Sequence, residues 1–146
     1  MSTRAPIIPI VWPWTKYTPI FTGFGTVTVQ EFFWSRIGET LFVRGRFTLG
    51  TTTATEARIS YPQVGNDILI AAGTNKIHST LQGAGWLGKS GHVLVEPKVG
   101  YMTLSLNTNN ASMVVKQNGN AWSAGDDFSV FMSVPVAGWA IARRIR

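Results

Sequence analysis

Between Thr26 and Leu49 apolar and polar side chains alternate with a period of two. Val27, Val29 and Phe33 alternate with Thr28, Gln30 and Trp34; Leu41, Val43, Phe47 and Leu49 then alternate with Phe42, Arg44, Arg46 and Thr48. Such alternation, rich in β-branched and aromatic residues, belongs to strands with two different faces. It predicts a long hairpin with arms over 26–37 and 40–49. Gly38-Glu39 lies between them, and a two-residue loop with glycine first suits a tight turn.

Shorter runs of the same kind follow. Strand-like segments lie at 17–21, 57–61, 68–72, 76–82, 92–96, 100–106 and 128–136, with a very short one at 112–116. Glycine, proline and asparagine punctuate them: Gly23 to Gly25, Gly65-Asn66, Gly83 to Gly91, Pro97-Lys98 and Asn118 to Asn120. No stretch has the pattern of an amphipathic helix of normal length, although the tail from Ala137 has room for one helical turn. Eight or nine short strands, with turn signals roughly every 8–12 residues, predict an all-β antiparallel sandwich or barrel. Eight strands with long two-faced hairpins suit a jelly roll.

Residues 1–14 read as an extended N-terminal arm ahead of a domain at 15–139 and a basic tail at 140–146. Pro6, Pro9 and Pro13 forbid helix. Ile7, Ile8, Ile10, Val11, Trp12 and Trp14 are too apolar for a solvated linker, so the arm must lie on something. Its own domain edge, a neighbouring subunit and a host surface all qualify. Burying each large side chain stabilises by roughly 1.5–3 kcal/mol.

Composition sharpens this. Only 14% of the 146 residues are charged, against about 25% in ordinary soluble proteins. A surface made of Thr, Ser, Asn and Gly suits extensive contact with other copies or with a larger assembly, and equally a stable extracellular-type β domain. The net charge is +6, carried largely by the ends through Arg4, Lys16, Arg143, Arg144 and Arg146. Without these five the body is near neutral, unlike the basic stripe of a nucleic-acid-binding face. There is no cysteine, so disulfides and thiolate metal sites are excluded. No run approaches the ~20 apolar residues of a membrane span, and the N-terminal run lacks a signal-peptide core. These features predict no membrane partner and assembly in the cytoplasm.

Catalytic chemistry has little to stand on. His78 and His92 lack metal-ligand spacing, and Asp126-Asp127 reads as a turn before a strand rather than a calcium loop. Glu31, Glu39 and Glu56 fall on or beside strands, where pairing with Arg36, Arg44, Arg46 or Arg58 is the simple account. No GxSxG elbow, P-loop or GxGxxG is present. The expectation is therefore no enzyme activity, cofactor, metal or small-molecule substrate. Trp86 and Trp122 lie in Gly/Asn-rich loops, where tryptophan can stack on sugars.

Several features resemble a domain common in tailed-bacteriophage virion proteins, often at the C-terminal end of tail fibres. They are Trp14, Tyr17-Thr18-Pro19, Phe24-Gly25, Trp34, Arg36, Gly38, Arg44-Gly45 and Thr55-Glu56-Ala57-Arg58, and the closing FSVFMSVPVAGW with Pro135, Gly138 and Trp139. The resemblance implies a virion β-sandwich, similar to the trimeric jelly rolls of complement-C1q and tumour-necrosis-factor-like domains, buried along a threefold axis. The chain has only about a dozen residues before the domain and no stalk, which favours a homotrimeric capsid decoration or cement protein bound to the major capsid protein. A tail-fibre or tail-tip module binding host glycans is the alternative. On the cement reading, the partner-binding residues are Ile7, Ile8, Ile10, Trp12 and Trp14 of the arm, with Arg143, Arg144 and Arg146 of the tail.

Overall fold

A computed structural model describes residues 6–51, 57–64, 66–67, 78–83, 90–95, 100–106, 124–140 and 142–144. The runs expected at 68–72 and 112–116, and the loop residues Trp86 and Trp122, lie outside these. Among the described residues there are strands and turns and no helix. The strands are β1 (Ile7–Pro9), β2 (Val11–Tyr17), β3 (Phe21–Thr22), β4 (Thr28–Ile37), β5 (Thr40–Thr48), β6 (Arg58–Ser60), β7 (Gln63–Val64), β8 (Asn66–Asp67), β9 (His78–Gly83), β10 (Ser90–Leu94), β11 (Tyr101–Leu106), β12 (Asp127–Pro135) and β13 (Ala142–Arg144).

Among the described residues nine strands form one antiparallel sheet in the order β2-β4-β5-β12-β9-β10-β11-β6-β3. β7 and β8 pair with each other, Gln63 opposite Asp67 and Val64 opposite Asn66, and β1 pairs with β13; Gly65 of the expected turn lies outside the described residues. The two edge strands of the main sheet, β2 and β3, are consecutive in the chain and joined only by residues 18–20. From Tyr17 to Phe21 the backbone reaches about 15 Å at most. The sheet must therefore roll until its edges are neighbours. Contacts across the junction agree: the Tyr17 hydroxyl donates to the Ser60 carbonyl at 3.1 Å, and the Ile20 amide donates to Ser60 Oγ at 2.8 Å. The run 17–21, expected as one strand, is thus divided between two edges at Thr18-Pro19-Ile20.

The β4–β5 hairpin forms as the alternation predicts. Gly38-Glu39 is its two-residue turn, and Gly38 has φ 58°, a left-handed conformation that glycine adopts without a Cβ clash. Leu41, Val43, Phe47 and Leu49 all face the core. Gly45 shares their inward face, and a Cβ there would lie 2.4 Å from the Phe32 ring, so glycine makes room for the phenylalanine.

The facing of β4 differs from the simple alternation. Thr28 pairs with Thr48 but Glu31 pairs with Arg46, so β4 carries one extra residue. This bulge shifts the phase. Phe32 and Trp34 are buried, while Phe33, expected on the face of Val27 and Val29, turns outward and is half-buried. The tail is also corrected: Ala142–Arg144 is a strand, held by pairing with Ile7–Pro9, rather than a helical turn.

Phe47 is the hub of the rolled core. Its ring lies 5.2 Å from Phe21 of β3, 5.1 Å from Phe24, 6.1 Å from Phe32 and 5.8 Å from Phe128 of β12. Ile59, Val93, Val95, Met102 and Leu104 complete the core from the β10-β11-β6 side.

Two outcomes follow. Gly45→Ala destabilises the fold by about 1–3 kcal/mol in urea denaturation, from overpacking against Phe32, and adding Phe32→Leu recovers part of the loss. Burial pushes the Tyr17 phenol well above its ordinary value. The folded chain then keeps it neutral where the unfolded chain ionises it, so its contribution is intact below pH about 10 and declines above. Tyr17→Phe costs about 1 kcal/mol at pH 7 through the lost hydrogen bond but loses less stability than the parent between pH 8 and pH 11.

Candidate interaction site

Trp12 and Trp14 are two residues apart and would share a face of a regular strand. They do not share one here. On β2, Trp12 pairs with Arg36 and Thr15 with Trp34, so β2 carries one extra residue at Pro13-Trp14. A bulge is where a strand tolerates proline. It sends Trp12 to the inner face and Trp14 to the outer face, and so builds two aromatic–arginine clusters back to back.

The inner cluster surrounds Arg36, which is only 8% exposed. Its Nε donates to the Gly38 carbonyl at 2.7 Å and a terminal nitrogen donates to the Ala140 carbonyl at 3.0 Å. The guanidinium carbon lies 4.4 Å from the Trp139 ring centre and 5.5 Å from that of Trp12. Trp34 closes the cage, 5.3 Å from Trp12 and 6.4 Å from Trp139. Burial lowers the guanidinium's pKa, but arginine titrates so high that it stays charged. Carbonyl oxygens and ring faces thus stand in for water and a counter-ion. The cluster ties three distant segments together: β2, the hairpin tip and the residues after β12. The Gly38 amide also donates to the Ile10 carbonyl and the Val136 amide to the Glu39 carbonyl.

The outer cluster is open to solvent. Arg44 lies 4.3 Å from the Trp14 ring centre and 5.4 Å from that of Phe33. Register places Lys16, Phe33, Arg44 and Phe131 side by side across β2, β4, β5 and β12. Toward the hairpin tip the face becomes apolar, with Val11 57% and Ile37 51% exposed. Away from the tip it becomes charged, and Glu31 and Arg46 form the cross-strand ion pair that sequence pairing suggested, at 3.0 Å.

The arm and tail residues singled out from sequence come together in part. Ile7 and Ile8 of β1 pair with Arg144 and Arg143 of β13. Ile7 is exposed and Ile8 half-buried; Ile10 is half-buried. Val11 to Trp14 belong to edge strand β2, so the segment drawn as an arm runs into the sheet. Arg146 lies outside the described residues.

No protein-family model, curated protein or solved structure matches this chain.

Among the described residues no cluster of His, Asp and Glu forms a metal site. The backbone places His78 on β9 and His92 on β10, opposite Leu94 and Thr80. Asp127 accepts a hydrogen bond from Thr48 Oγ1. What the geometry offers is surface contact, through the exposed rings of Trp14 and Phe131 and the Arg44 guanidinium beside Trp14. Sequence reasoning named Arg36 and Arg44 as ion-pair candidates and, with Trp139, as family features, but placed none of them, nor Phe131, among the contact residues. Arg44 and Phe131 were legible as outward positions of their strands, but their adjacency depends on the β5–β12 pairing of residues 87 positions apart.

Arg36→Ala leaves two carbonyls and two indoles without their cation. It lowers stability by about 3 kcal/mol in urea denaturation, and Arg36→Lys, which lacks the planar fork, recovers less than half of that.

Proposed function

We propose that the chain is a non-enzymatic structural protein of a bacteriophage virion. On this reading it is a homotrimeric capsid decoration or cement protein that binds between capsid subunits, its rolled sheet arranged as a jelly-roll sandwich. It is assembled onto heads in the host cytoplasm and carries no cofactor. The observation that carries the reading is edge strand β2, six of whose seven residues are exposed although its sequence is VWPWTKY. Exposed apolar patches on folded proteins mark contact surfaces. Pro13, the bulge and Lys16 protect the edge from simple strand addition, which leaves side-chain docking as its use. A surface with only 14% charged residues suits the same purpose. Three linked copies multiply weak contacts into durable attachment.

Light scattering of the purified chain gives about 48 kDa, three times the 16.0 kDa chain, and a monomer at micromolar concentration rules out the trimer. Added to heads of the encoding phage assembled without it, the chain saturates discrete sites. Removing residues 1–9 lowers that occupancy several-fold; unchanged occupancy excludes the arm from the contact.

A further inference from the structure

The outer face around Arg44 carries more information than general stickiness. Trp14 is 40% and Phe131 48% exposed, with Phe33 and Phe42 half-buried beside them. Tryptophan, arginine and phenylalanine are the residue types enriched in the cores of protein interfaces. Charge separates the occupants. Arg46 is neutralised by Glu31. Among the described residues Arg44 and Lys16 have no carboxylate partner, and Arg44 lies against the rings of Trp14 and Phe33. Arg44 is exposed beside these rings, and a solvent-facing guanidinium can take a carboxylate in a bidentate pair. Two unmatched cations, with Glu31 and Asp127 on the same face, are too few to track a phosphate backbone, where affinity grows with every phosphate neutralised. A second copy of this face would set Arg44 against cations of its own kind.

We infer that the outer face of β2, β4, β5 and β12 docks on a protein surface that presents a carboxylate beside apolar or aromatic side chains. Arg44 receives the carboxylate, and Trp14 and Phe131 flank it and exclude water. The inference rests on the docking role proposed above and specifies the chemistry of the partner, an acidic-aromatic patch.

The probe is a soluble random copolymer of glutamate and tyrosine, compared with a (dT)20 oligonucleotide, by fluorescence anisotropy at low and at physiological salt. The full-length chain binds the copolymer more tightly than the oligonucleotide, and the binding weakens with salt. Arg44→Glu weakens copolymer binding at least tenfold, Phe131→Ser several-fold, and Arg44→Lys by an intermediate amount, all with unchanged assembly mass. Equal copolymer binding by Arg44→Glu overturns the inference. So does tighter binding of the oligonucleotide, or a fall in assembly mass on Arg44→Glu, which would make the face a contact between copies. Head occupancy is scored separately. Heads loaded equally by Arg44→Glu overturn this inference and leave the decoration role standing. Copolymer binding through Arg44 by a chain that never loads heads does the reverse.

Discussion

Residues 18–20 are the constraint on which the rest of the molecule depends. They join the two outermost strands of a nine-stranded sheet, so the sheet cannot lie open. Once rolled, it needs an interior that both edges reach. Phe21 from one edge and Phe32 next to the other meet at 5.6 Å, and Phe47 gathers them with Phe24 and Phe128. Aromatic pairs at this spacing add about 0.5–1.5 kcal/mol beyond area burial. Gly45 is part of the same requirement, because a side chain there would displace the ring that links β4 to the roll.

Two extra residues, one in β4 and one in β2, decide which side chains reach that interior. Without the β4 bulge, Phe33 would point inward and Trp34 outward. Without the β2 bulge, Trp12 and Trp14 would compete for one face. With both, the inner face holds phenylalanines at one end and an arginine caged by tryptophans at the other, while Arg44 remains outside with an indole beneath it. The same two residue types thus build an interior clamp and a contact surface, separated only by the thickness of the sheet.

The β4–β5 hairpin was legible because every clue to it is local: alternation, β-branched residues and a glycine at the turn. Its second arm faces as its pattern says. The first arm does not, since a bulge is a register property and depends on the partner strand. The mixed order of the sheet was illegible for the same reason. β12 lies between β5 and β9, and no nearby sequence carries that information. The apolar character of Ile7 to Trp14 marked a segment unsuited to a solvated linker, and the segment is strand rather than free arm. It did not divide the segment into a ribbon with the C-terminal residues and an edge of the main sheet. Charge counting found the basic tail but passed over Arg36 and Arg44, whose roles come from the rings beside them.

The cage around Arg36 has an optical consequence. Three of the chain's six tryptophans sit within 6.4 Å of one another there, close enough to exchange excitation, and a cation lies against two of the rings. The emission of these three indoles therefore reports on whether the ends of the chain are locked to the hairpin tip. The phenylalanine interior is silent at those wavelengths and is followed instead by far-ultraviolet dichroism of the strands. The two signals observe different halves of the molecule, so their superposition or divergence during denaturation measures how far the ends and the interior melt as one cooperative unit.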